Sequence, residues 1–178
     1  MHNRNIVLAG FMGAGKTAVG RALAQRLSRT FLDMDAELEA RAGKPISLIF
    51  AEDGEAAFRR MERELVVECS CRANLVIAAG GGVVLNPDNV RDFSATGYVI
   101  CLKAAPEEIL RRVAGSKERP LLEQGDKAER IRALLKSRQK LYDALPYQVD
   151  TTGKSVAQVV AEVLTRICCR GVVNPTGS

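Results

Sequence analysis

Eight residues near the start of the chain, Gly10-Phe11-Met12-Gly13-Ala14-Gly15-Lys16-Thr17, carry the spacing G-x-x-x-x-G-K-T of a loop that cradles nucleotide phosphates. Glycines let such a backbone curl until successive N–H groups converge on one anion, and the helix that follows adds partial positive charge at its first turn. Gly13, Ala14, Gly15, Lys16, Thr17 and Ala18 are therefore the candidates for nucleotide contact. Lys16 would reach the β and γ phosphates, and the Thr17 hydroxyl would ligate Mg²⁺. The plainer alternative is a glycine-rich turn that binds nothing. Against it stand an apolar run before the loop, 6–9, and a helical pattern after it, 18–27, with Val19, Leu23 and Leu27 on one face.

Other chemistry-bearing residues follow later apolar runs. Asp33 and Asp35 stand two apart, so on an extended chain both carboxylates face one cleft. One can hold Mg²⁺ through water; the other can accept a hydrogen bond from an acceptor hydroxyl and take its proton. The alternative is that Asp35 only caps a helix over 36–42. Gly80, Gly81 and Gly82 carry no side chains, so either something approaches that backbone closely, with N–H groups free for a substrate, or the run is a tight turn before a helix near Pro87. Arg59 and Arg138 each read equally well as a solvated helix-face cation, Arg59 with Glu55 four residues earlier. Meeting in a cleft, they would grip a carboxylate by planar bidentate hydrogen bonds. Arg119 precedes Pro120, which biases it to an extended conformation in a polar loop that can close over a nucleotide. Gly153-Lys154-Ser155 resembles the end of a second phosphate loop, but Gln148 stands where its first glycine belongs, so contact with the nucleobase is the better reading.

The composition narrows the partners. The net charge is +5, yet arginine outnumbers lysine 18 to 8 and is dispersed, with no Trp and only 4% aromatic residues. That pattern suits discrete anion sites for acidic small molecules rather than a base-stacking nucleic-acid surface. The single histidine, His2, lies in a terminal segment, leaving a carboxylate or lysine as general base. Five cysteines at 69, 71, 101, 168 and 169 show neither metal-ligand spacing nor a disulfide framework. Reduced thiols, and an N-terminal apolar run too short for a signal peptide or membrane span, lead us to expect a soluble, cytoplasmic protein.

Strands are expected at 6–9, 31–32, 75–79, 98–102 and 147–149, with helices between them, including 107–113, 127–141 and 156–167. Such alternation gives an α/β, three-layer fold: a parallel sheet with helices on both faces and ligands at the carboxyl ends of the strands. We expect one domain over 1–170. It would include a helical substrate-binding insert at about 34–72, with two or three short helices, and a lid at about 114–126. The tail 171–178 is expected to be disordered.

Taken together, Gly10 to Thr17, Asp33-x-Asp35, Phe58-Arg59-Arg60 with Glu62, Gly80-Gly81-Gly82-Val83, Arg119-Pro120-Leu121-Leu122, and Arg138 with Tyr142 resemble the shikimate kinase family, within the nucleoside-monophosphate-kinase-like P-loop proteins. The set runs in family order across nearly the whole chain. The resemblance implies a five-stranded sheet in the order 2-3-1-4-5 and transfer of the ATP γ-phosphate to the 3-hydroxyl of shikimate, giving ADP and shikimate 3-phosphate on the route to aromatic amino acids. It implies Lys16 on phosphate, Thr17 and Asp33 serving Mg²⁺, and Asp35 as the candidate base. It also implies a carboxylate clamp of Arg59 and Arg138, and Gly80, Gly81 and Gly82 lining the substrate site with a direct bond from the Gly82 N–H. Arg119 is similar to a lid arginine that stabilises transferring charge, and Arg112 to a residue that stacks on adenine. Where some relatives place a proline against adenine, this chain has Val156. Phe50 and Phe58 look like pocket walls, with ordinary insert packing as the alternative. The resemblance favours a monomer. A kinase for another small hydroxy acid such as gluconate, or a non-catalytic nucleotide-binding regulator, is the rival reading. A GTPase switch would need an N-K-x-D or T-K-x-D element, which is absent.

Overall fold

Ile6, Val7, Leu8 and Ala9 point alternately to opposite sides of β1 (Asn5–Ala9), yet all four are buried. A strand covered on both faces belongs in the middle of a parallel sheet. The computed structural model, which describes residues 3–113 and 127–170, places it there. β1 pairs in parallel with β3 (Leu75–Ala78) on one side and β4 (Gly97–Lys103) on the other; β2 (Thr30–Asp33) and β5 (Tyr147–Asp150) form the edges. The order β2-β3-β1-β4-β5 is the expected one.

Two apolar cores result. On one face Ile6, Leu8, Val76, Ile100 and Val149 pack against Val19 and Leu23 of α1 (Lys16–Leu27) and Val159 and Val163 of α8 (Val156–Arg170). On the other, Val7, Ile77, Val99 and Cys101 meet Leu65 of α4 (Gly54–Ser70), Phe93 of α5 (Pro87–Thr96), Ile109 of α6 (Pro106–Val113) and Ile131 of α7 (Lys127–Asp143). Among the described residues no helix is long and apolar enough to cross a membrane, and Cys69, Cys71, Cys101 and Cys168 are free thiols. Burial raises the Cys69 and Cys101 thiols to about 11, so both stay protonated and inert.

The insert contains α2 (Met34–Ala42), the single turn α3 (Ile46–Leu48) running into a π-helical stretch at Ile49–Asp53, and α4. Two expectations are corrected here. α2 begins at Met34 rather than 36, because the Asp33 carboxylate accepts hydrogen bonds from the N–H groups of Asp35 and Ala36 and so ends β2 at once. α4 is not a short helix but runs for 17 residues, since Phe58, Glu62, Leu65, Val66 and Cys69 keep one face buried along its length. The lid expected at 114–126, the tail at 171–178 and His2 lie outside the described residues.

Asn5 joins the start of β1 to the connection between α4 and β3. Its side chain is buried; Nδ2 donates to the Cys69 carbonyl at 3.1 Å and the Arg72 carbonyl at 2.7 Å, and Oδ1 accepts from the Leu75 N–H at 2.9 Å. Three backbone groups lose their partner if this amide is removed. Asn5→Ala is therefore expected to cost about 3 kcal/mol of unfolding free energy, read as a lowered midpoint in urea denaturation. A loss under about 0.5 kcal/mol would count against the account.

Candidate active site

β1 delivers the chain to Gly10, whose φ of +131° excludes other residues in practice and whose Cβ would lie 2.2 Å from the Leu102 carbonyl oxygen. The loop then closes against its neighbours, with Gly13 at φ +74° and Gly15 at φ +95°, the latter at the N-cap of α1. Lys16 arches back over this loop, Nζ donating to the carbonyls of Gly10 at 2.9 Å and Phe11 at 3.1 Å. The Thr17 hydroxyl donates to Asp33 Oδ2 at 2.7 Å. Asp33 Oδ1 is the atom that caps α2. Thus Asp33 and Asp35 do not alternate along an extended chain as expected: Asp33 ends the strand and Asp35 sits in the first turn of α2.

The Thr17 hydroxyl and Asp33 carboxylate form a pair of hard oxygen donors at the mouth of the loop, which suits Mg²⁺. Among the described residues no group of three His, Cys, Asp or Glu side chains makes a protein-only metal cage. A cation that keeps its waters and shares phosphate oxygens needs no such cage.

The triple glycine is filled by the protein's own side chains. A Cβ on Gly80 would lie 2.9 Å from Asp35 Oδ1 and 3.0 Å from Glu62 Oε1, and one on Gly82 would lie 2.5 Å from both terminal nitrogens of Arg59. Close approach, rather than turn geometry alone, accounts for Gly80 and Gly82. Arg59 is held by two carboxylates of α4: Nη1 donates to Glu62 Oε2 at 2.8 Å and Nη2 to Glu55 Oε1 at 3.1 Å. The solvated-pair alternative thus describes only the Glu55 half, because the Glu62 side chain is 2% exposed. Its Oε1 has no hydrogen-bond partner among the described residues. Burial pushes the Glu62 carboxyl above its ordinary range; Arg59 opposes this and the nearby Asp35 charge adds to it.

Arg138 and Tyr142, one turn apart on α7, both donate to the Gly81 carbonyl, at 3.4 and 2.6 Å. Arg59 and Arg138 therefore converge on adjacent residues of one loop. That loop also runs beside the phosphate loop: a Cβ added to Gly81 would sit 3.7 Å from Gly10 O and Met12 N. Phe58 is buried in the core beside Phe50, ring centroids 4.8 Å apart. Insert packing thus explains Phe58 by itself.

A cavity of about 490 Å³ opens beside Ala14, Gly15 and Ala18, with Arg112, Thr151, Gly153, Lys154 and Val156 in its lining. Arg112 is tied down there: Nη1 donates to Gly13 O at 3.2 Å and Thr151 Oγ1 at 2.9 Å, and Nη2 to Thr151 O at 2.9 Å. Arg119 lies outside the described residues. Sequence reasoning gave Glu62 and Tyr142 no role and missed Thr151 altogether. The signals were there: Glu62 is i+3 from Arg59, Tyr142 is i+4 from Arg138, and Thr151 follows a strand.

The chain is similar to known proteins over nearly its whole length. A family model described as shikimate kinase matches residues 12–168. A shikimate kinase of Pelotomaculum thermopropionicum is 52% identical over 161 residues, covering 90% of this chain and 94% of the relative. The solved structure of a shikimate kinase from Acinetobacter baumannii in complex with shikimate superposes with a TM-score of 0.91 at 36% identity, covering 97% of both chains. A gluconokinase structure from Sinorhizobium meliloti, at 16% identity and a TM-score of 0.62 over 94% of this chain and 93% of its own, shares the fold.

The raised carboxyl of Glu62 yields a signed prediction. In the unfolded chain this group ionises near its ordinary 4.5, whereas the folded protein holds the proton to higher pH. Between those values the folded state binds more protons, so stability from this site is present below the unfolded value and lost as pH rises through the folded one. The unfolding free energy of the wild type, measured in urea relative to Glu62→Gln, is expected to fall as pH is raised from 4.5 through that window. A rising difference would contradict the burial argument.

Proposed function

Because the chain belongs to the shikimate kinase family, we propose that its two-sided cleft carries the γ-phosphoryl group of ATP to the 3-hydroxyl of shikimate. The observation that carries this reading is the pairing of β1 with β3, Leu8 beside Ala78 and the Ala79 N–H donating to the Leu8 carbonyl at 3.0 Å, which puts the loop bearing the acceptor groups next to the loop bearing the donor groups.

On the donor side, backbone N–H groups from Gly13 to Ala18 and the start of α1 hold the phosphates. Lys16, now resting on the Gly10 and Phe11 carbonyls, exchanges those neutral acceptors for phosphate oxygens. Adenine occupies the cavity between Arg112 and the 153–156 stretch, with exposed Val156 as an apolar contact. Thr17 and Asp33 would hold Mg²⁺, which when bound neutralises charge on the transferring phosphate oxygens.

On the acceptor side, Arg59 and Arg138 grip the shikimate carboxylate, and the Gly82 N–H donates a further hydrogen bond. This fixes a hydroxyl against Asp35. The hydroxyl oxygen attacks phosphorus, the bond from phosphorus to the β–γ bridging oxygen breaks, and Asp35 takes the hydroxyl proton while ADP departs. Arg119 supplies a second cation to the transferring group. Most of the catalytic effect comes from positioning and preorganised charge, since the protein forms no covalent bond with either substrate.

With Mg²⁺ and ATP, the purified protein is expected to release ADP in a coupled assay only when shikimate is added. Turnover with gluconate or a nucleoside monophosphate but not shikimate would overturn the assignment. Arg59→Ala should raise the shikimate KM by about tenfold or more with little change in the ATP KM. Lys16→Ala should lower kcat by about a thousandfold.

A further inference from the structure

The Gly81 carbonyl and the Gly82 N–H are the two edges of one planar, trans peptide group, so whatever fixes the oxygen also aims the hydrogen. This peptide lies between two residues without Cβ, where the backbone has the least steric restraint of its own. Its oxygen receives the Tyr142 hydroxyl at 2.6 Å and, more loosely, Arg138 Nη1 at 3.4 Å. Its N–H donates to no group among the described residues.

We propose that Tyr142 is a positioning residue for the acceptor: by donating to the Gly81 oxygen it locks the plane of the Gly81–Gly82 peptide and sharpens the Gly82 N–H as the hydrogen-bond donor that receives shikimate. The inference rests on the reading that shikimate is the acceptor. Tyr142 does not touch it.

Three observations support the assignment. The Tyr142 ring is buried in the core with its hydroxyl as the polar end, a rigid lever with two rotatable bonds. The end of α7 that carries it is clamped to the sheet: Gln148 Nε2 of β5 donates to the Tyr142 carbonyl at 2.8 Å and the Leu145 carbonyl at 2.7 Å, and Asp143 pairs with Lys103 of β4. Burial pushes the phenol up to about 12, with Arg138 opposing, so the hydroxyl remains a donor throughout the neutral range. A hydrogen bond received by a carbonyl polarises its own peptide and makes the N–H across it a stronger donor, since linked hydrogen bonds reinforce one another.

Tyr142→Phe removes one oxygen and keeps the ring. The expected result is an approximately tenfold rise in shikimate KM, with kcat and the ATP KM changed by less than about twofold, because uniform binding is lost while chemistry is retained. The Gly82 amide proton should also shift upfield in the folded variant. An unchanged shikimate KM, or equal losses for both substrates, would overturn the proposal. If the variant does not fold, the wild type still decides: adding shikimate must move the Gly82 amide proton downfield and slow its exchange, and a resonance that ignores shikimate sinks the idea. A wild type that fails to phosphorylate shikimate would instead refute the underlying reading, and the two failures are separable because the Gly82 shift between wild type and Tyr142→Phe is measured without substrate.

Discussion

The close lateral packing of two loops sets the conditions for everything else in this site. β1 and β3 are neighbours in register, Leu8 beside Ala78, so the loops that leave them emerge at the same level of the sheet. One is the phosphate loop, the other the triple glycine, and side chains from α2 and α4 lie close over the second because Gly80 and Gly82 carry none of their own. A side chain at Gly82 would displace Arg59, and one at Gly80 would displace Asp35 and Glu62. The glycines are therefore less a sign of flexibility than of crowding. They let Asp35 of α2 and Arg59 and Glu62 of α4 lie directly over the backbone that follows β3.

Crowding brings charge together, and the balance of that charge decides which contacts are durable. Arg59 sits between an exposed Glu55, at 61% side-chain exposure, and a Glu62 at 2%. The exposed contact is worth at most about 1 kcal/mol, whereas removing the cation from beside a buried carboxylate leaves an uncompensated charge. On the proposed reading, a ligand carboxylate replaces Glu55 at little cost while Glu62 keeps the guanidinium aimed. The desolvation that raises the Glu62 carboxyl and the Arg59 charge that lowers it are opposing consequences of the same placement.

Much of this was legible in the sequence, for reasons that also explain what was not. The central strands announced themselves because both of their faces must be apolar, and the phosphate loop because its glycines and lysine have fixed spacing. The Asp33–Asp35 geometry was misread because two-residue alternation assumes that the strand continues. The Asp33 side chain captures two N–H groups and turns the chain into a helix instead. Glu62, Tyr142 and Thr151 stayed silent because their partners come from other elements: the Thr151 hydroxyl lies among Arg112 of α6, the Ala14 carbonyl and the Lys103 carbonyl of β4. The adjacency of β1, β4 and β5 brings these together, and no local pattern encodes it.

The same carboxylate that defeated the alternation rule joins the two halves of the site. Asp33 offers one oxygen to the Thr17 hydroxyl, on the proposed donor side, and the other to the first turn of α2, which carries Asp35, the proposed base. Because one planar group makes both sets of bonds, the orientation of α2 is tied to the position of Thr17. Three atoms of a single side chain therefore connect Thr17 at the phosphate loop to the helical turn that carries Asp35, a shorter link than the one through the sheet.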